Sequence, residues 1–200
     1  MWARWRKVRA DRRRWAAAQS LPELCDLMAR WLEGELSMWP GYGDGADEET
    51  ADLIPVLARL NRAGFLTDQS QPGCDGPGFD GLRWQQRAAV SGFIADEQVL
   101  AQVRQAGERA GLTVLIAHPW LLPQGRGITG TLRGGEPYTE FGAYLPVRTL
   151  RHIWRGVSRP ALAEICDAWQ VTLVDPEWGS SDRLWTALDE AIGLHAKEAA

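Results

Sequence analysis

Apolar residues recur at helical spacing in five or six stretches of this chain and in short runs or alternation elsewhere. Leu24, Leu27, Met28, Trp31 and Leu32 form one such stripe. Ser20 stands before it as an N-cap, Pro22 fits the first turn and Glu23 completes a capping box, so a helix is predicted from residue 20 to about residue 36. A second stripe, Leu53, Val56, Leu57 and Leu60, predicts a helix over about 52–62. Pro55 is tolerated only in a first turn, which makes Asp52 the expected N-cap, and Gly64 is placed to end the helix. Trp2, Trp5 and Val8 share roughly one helical face among arginines, giving a basic helical arm over residues 1–19 ahead of a single domain over 20–200.

From residue 65 the pattern changes. "GFLTDQS" and "RAAVSGFIA" (87–95) read as strands, joined by the glycine-rich "PGCDGPGFDG". Asp96 caps a helix carrying Val99, Leu100, Val103 and Ala106, with Gly111 at its end. "LTVLIAHP" (112–119) is a continuous apolar run, expected as a central strand. "GITGTL" and "YTEFGAYL" flank "RGGEP", the pattern of a hairpin. "VRTLRHIWRG" predicts a short helix. Ser158 caps another, with Leu162, Ile165, Cys166 and Trp169 inward. "VTLVDP" is a last strand, and Leu184, Trp185, Leu188 and Ile192 line a final helix. This order predicts an α+β fold with helices layered on a mixed sheet.

Composition adds compartment and charge. The chain is 45% hydrophobic and 24% charged, within the globular range. Cys25, Cys74 and Cys166 have neither metal-ligand nor redox spacing, which favours a reducing cytoplasm. No apolar run reaches the length of a membrane span. Residues 1–14 hold seven basic side chains and one acidic, +6; the other 186 hold fifteen and twenty-five, −10. A basic arm on an acidic body points to nucleic acid, bound through residues 1–14 alone, to a membrane surface, or to docking on the body itself.

Candidate chemistry gathers in "FLTDQSQPG" (65–73). Pro72-Gly73 suits a type II turn with Gly73 at positive φ. Such a turn would present Asp68, Ser70 and Gln71 to a polar ligand. Gln86 or Arg87 would flank them if the next strand pairs with the first, with Arg87 as the fork for an anionic group. His118 ends an apolar strand where a general base would sit in an open sheet, and Asp175 and Glu177 follow another. "GRGITG" (125–130) has dinucleotide-loop spacing but no helix after it, and no Walker loop, GxSxG elbow or HExxH occurs. His152 and His195 are isolated, no metal site is expected, and the sequence implies no particular cofactor. Cys74 lacks a positioned histidine and is a poor nucleophile candidate.

"NRAGFLTDQSQPG", "QQRAAVSGF" and "LVDPEWGSSDRLW", with "ARWLEGEL" before them, resemble an uncharacterised family of actinomycete proteins classed as a domain of unknown function. The resemblance spans about residues 20–190 and carries no catalytic residue with it. A shorter likeness, "N..GF.T..S..G", is similar to small bacteriophage-encoded proteins. The expectation is therefore a small polar-ligand or nucleotide-binding protein, with catalysis open to it through His118 and Asp175. Two other classes compete with it. One is a non-catalytic interaction protein, phage- or defence-related, using exposed tryptophans such as Trp39 and Trp120. The other is nucleic-acid association through the arm.

Overall fold

The computed structural model describes residues 2–121 and 127–198, with side chains over 5–121 and 127–193. Helix α1 (Trp2–Ala17) is followed by α2 (Leu21–Leu32), where the Ser20 hydroxyl accepts the Glu23 N–H. Glu23 reaches back to the N–H of Gln19, one residue before the cap. The helix ends at Leu32, four residues short of the expected end, and Gly34 follows at a φ of +81°. A 3-10 turn (Glu48–Leu53) then leads into α3 (Ile54–Arg62). Leu53, not Asp52, occupies the cap position, without a side-chain bond, because the 3-10 turn already runs through Asp52.

The remaining elements are β1 (Phe65–Gln71), β2 (Cys74–Pro77), β3 (Arg83–Gln86), β4 (Ala89–Ile94), α4 (Glu97–Arg109), β5 (Thr113–Ala117), β6 (Ile128–Arg133), β7 (Glu136–Phe141), α5 (Val147–Ile153), α6 (Arg159–Asp167), β8 (Trp169–Val174) and α7 (Asp182–Glu198). Asp96 and Ser158 cap α4 and α6 as their sequence positions predict. The β6–β7 hairpin turns through Gly134 and Gly135, both at positive φ.

The α+β domain is present, but its strands make two four-stranded sheets, ordered β1-β4-β8-β5 and β2-β3-β6-β7, and each pairing is antiparallel. This corrects the mixed sheet. The glycine-rich connection after β1 holds the β2–β3 hairpin, which belongs to the second sheet. The predicted central strand, β5, is an edge strand; β4 and β8 are central, and every residue of β4 is buried. Ala89, Phe141 and Val174 pack where the two sheets meet.

The large core packs α2, α3, α4, α6 and α7 against the first sheet and includes Trp154, which is fully buried against Trp15, Trp39 and Phe93. Burying a side chain of this size stabilises the fold by roughly 2–3 kcal/mol. Trp15 ties the N-terminal helix into this cluster, its indole N–H donating to the Met38 carbonyl at 2.9 Å. Asp11 is buried too and accepts from the Ser37 N–H and hydroxyl, at 2.9 and 2.6 Å. The C-terminal half of the basic helix is therefore docked on the body. Trp39 is 7% exposed and so is not a surface anchor, whereas Trp120 is 83% exposed. Among the described residues no helix is long and apolar enough to cross a membrane.

Candidate functional site

β1 is not a regular strand. Thr67 pairs with Gly92 and Gln69 with Ser91, so Asp68 is the extra residue of a bulge. Two contacts build that irregularity. The Asn61 amide on α3 donates to the Thr67 hydroxyl at 2.8 Å and accepts the Thr67 N–H at 3.1 Å. Across the ladder, a Cβ on Gly92 would lie 2.1 Å from the Leu66 carbonyl oxygen, so only glycine allows the strands to approach this closely.

The bulge turns Asp68 into a cleft. One hollow, about 490 Å³, is lined by Asp68, Gln69 and Ser70 from β1, Thr139 and Glu140 from β7, and Trp31, Trp39, Tyr42 and Asp47. A second, about 230 Å³, lies over Ser91 and Thr172 beneath Gly142 and Tyr144, and shares Asp68, Gln69, Glu140 and Leu145 with the first. Burial pushes the Asp68 carboxyl up to about 7, against the opposing pull of the Asp68 and Gln69 backbone N–H groups. Neither hollow has a lysine, arginine or histidine in its lining. The phenol of Tyr42 donates to Asp47 at 3.0 Å. The Thr139 hydroxyl oxygen is buried without a hydrogen-bond partner. Such a site offers carboxyl and hydroxyl oxygens to a ligand's N–H groups, beside indole and phenol rings. A carboxyl that titrates near neutrality is also suited to taking or giving a proton.

Of the residues singled out in the sequence, Asp68, Ser70 and Gln71 line this cleft. Gln71 is nevertheless engaged in holding the sheets together. Its amide donates to the Arg87 and Gly130 carbonyls at 2.8 and 2.9 Å and accepts from the Thr131 hydroxyl at 3.2 Å. Gly73 has no positive φ, so the expected type II geometry is absent. A side chain is excluded there instead because a Cβ would lie 2.0 Å from the Ser180 carbonyl oxygen.

His118 lies elsewhere. The antiparallel order puts Ser70 level with Val90 and Leu173, while Ala117 pairs with Gln170 near the other end of β8. Three strand spacings and four residues separate Ser70 from His118, roughly 14 Å across the sheet and 13 Å along it. The imidazole packs on Trp169 at 4.4 Å, and its Nε2 lies 3.0 Å from the Asp167 carbonyl oxygen. It therefore shares no pocket with Ser70 or Asp175.

Gln86 and Arg87 are also removed from the cleft, because β3 pairs with β2 and β6 and not with β1. Gln86 accepts from the Cys74 thiol, and the Arg87 guanidinium stacks 4.2 Å from the centre of the Trp178 ring. Asp175 is 0% exposed; it accepts the Glu177 N–H at 2.9 Å and lies 3.6 Å from Arg183, which also holds the Glu177 carboxylate at 2.5 Å. These are turn contacts beside α7. Burial raises the Cys74, Cys166 and Cys25 thiols, so none is an activated nucleophile. No group of residues suited to a metal occurs among those described. Residues 125 and 126 of "GRGITG" and the His195 side chain lie outside the described residues.

Asp47, Tyr42, Thr139 and Glu140 escaped the sequence reading. The first two sit in a Gly- and Asp-rich loop, a composition that signals a wet connection and nothing more. Thr139 and Glu140 follow hairpin alternation, which does not reveal what the strand edge faces.

The fold and cleft define an α+β domain of two antiparallel sheets with an acidic, aromatic-walled hollow beside a bulged edge strand. Residues 10–195 match the family described as "Domain of unknown function (DUF6919)", and the chain belongs to that family. No curated protein matches the sequence.

Proposed function

We propose that the protein binds a small polar ligand in the cleft around Asp68, and that the ligand presents N–H or ammonium donors to that carboxyl. The observation that supports this most is the bulge. It places a carboxyl raised to about 7 against a hollow of about 490 Å³ with no basic side chain in its lining. A half-buried carboxyl without a counter-ion costs stability, and a ligand that donates to it recovers part of that cost. Glu140, Ser70 and Thr139 supply further oxygens, and Trp31, Trp39 and Tyr42 supply an apolar flank. Arg87 has no part in this reading, since it is stacked on Trp178.

The test is thermal-shift screening of amines, amidines and amino-substituted heterocycles against the full chain and against Asp68→Asn and Ser70→Ala. Saturable stabilisation of the wild type that both variants lose supports the reading. Hits that stabilise the wild type and Asp68→Asn equally contradict it.

A further inference from the structure

A third hollow, of about 480 Å³, adjoins the cleft and carries the opposite charge. Its walls are Arg12 and Trp15 of α1, Met38, Pro40 and Gly41 from the loop after α2, and His152, Ile153, Arg155 and Gly156 at and after the end of α5. Arg12, His152 and Arg155 are its ionisable groups, and no carboxylate lines it. None of the three has an ion-pair or hydrogen-bond partner among the described residues. Arg13, Arg148, Arg151 and Arg159 also lack such a partner; what sets Arg12, His152 and Arg155 apart is that they line one hollow. Arg14, Arg30, Arg59, Arg62, Arg83, Arg133 and Arg183 are each paired with a carboxylate, on a body with an excess of acid.

A helix C-terminus ordinarily collects cations, which accounts for His152 at the end of α5. It does not account for Arg12, which comes from a different helix. Arg12 is brought here by the docking of α1, through Trp15 to Met38 and Asp11 to Ser37. Both anchors are buried, so the docking of α1 brings Arg12 to the same hollow as Arg155.

We infer that this hollow binds a phosphate-type anion on Arg12, His152 and Arg155. Two guanidinium groups supply forked donors that suit phosphate oxygens, and the imidazole adds an N–H. A small phosphate ester fits better than a polynucleotide: the hollow is about 480 Å³, and the acidic body repels a long polyanion. The assignment stands apart from the Asp68 reading. The two hollows do share Gly41 and Ile153 in their walls, so a phosphorylated ligand with a donor-bearing end is able to use both.

The experiment is calorimetric titration of the full chain with inorganic pyrophosphate, and in parallel with a single-stranded oligonucleotide. The expected result is saturable pyrophosphate binding that weakens about tenfold or more in Arg12→Ala/Arg155→Ala and in Arg155→Glu. It should be unchanged in Asp68→Asn, so that this site and the cleft fail separately. All of these positions except Asp68 are exposed, so the arginine variants are expected to fold, which circular dichroism checks. Absence of pyrophosphate binding by the wild type overturns the inference. So does pyrophosphate affinity that the arginine variants leave intact, or oligonucleotide binding that they abolish while pyrophosphate does not bind.

Discussion

The Asn61 side chain holds Thr67 at two points, its backbone N–H and its hydroxyl, and so pins β1 at the residue before the bulge. The same amide also donates to the Leu57 carbonyl at 2.8 Å, which makes the anchor rigid with respect to α3. Asp68 is displayed because a helix side chain fixes the strand beside it. Replacing Asn61 by Ala leaves buried partners unsatisfied. We expect a loss of roughly 1–3 kcal/mol in urea unfolding, together with loss of any ligand response that depends on Asp68.

The Asp68 carboxyl makes stability depend on pH. Its folded-state value, about 7, lies above the ordinary 3.8, so the native state holds more protons than the unfolded chain between those values. The contribution of this group to stability therefore falls as pH rises from about 4 to about 7, and stays low above that. Asp68→Asn removes this slope. At pH 8 the variant should be the more stable protein, by about 2–4 kcal/mol, and near pH 4 the two should be equal. Denaturant midpoints across the range check this.

Much of the local structure was legible before any coordinates. Stripes such as Leu24 to Leu32 and caps such as Ser20, Asp96 and Ser158 report on contacts within a few residues, and those contacts formed. Strand order is set by partners far away in the chain. "LTVLIAHP" is as apolar as a central strand, yet β5 pairs with β8 alone and lies at an edge, its apolar side chains Val114 and Leu115 covered by α4 near Gly107 and by Gly142. That placement removed His118 from the site. Asp68 and Ser70 stood out as a polar run, but the bulge that aims Asp68 depends on Asn61 and Gly92, whose roles emerge only when the strands are paired.

Gln71 is a clamp between the sheets, and its substitution separates stability from recognition. Gln71→Leu removes bonds to Arg87, Gly130 and Thr131, and of these the Gly130 carbonyl keeps the Arg87 N–H. The expected cost is about 1–3 kcal/mol, seen in thermal unfolding. Ligand affinity at a temperature where the variant is fully folded should change far less than in Asp68→Asn.

Two tryptophans of the same core should respond differently to the same change. Trp15→Phe breaks the bond to the Met38 carbonyl, whereas the buried Trp154 indole N–H has no partner to lose. Both variants lose packing volume. Trp15→Phe should be the worse by about 1 kcal/mol or more, and it should also loosen α1, which protease susceptibility of the N-terminal segment reports.

Burial on the bulge at residue 68 raises one carboxyl to about 7 beside an open cleft. Carbon-13 NMR of the side-chain carboxyls, assigned with Asp68→Asn, measures this directly. The Asp68 midpoint should lie near 7 in the free protein and move downward when a cationic ligand binds. A midpoint in the ordinary carboxylate range, near 4, would contradict it.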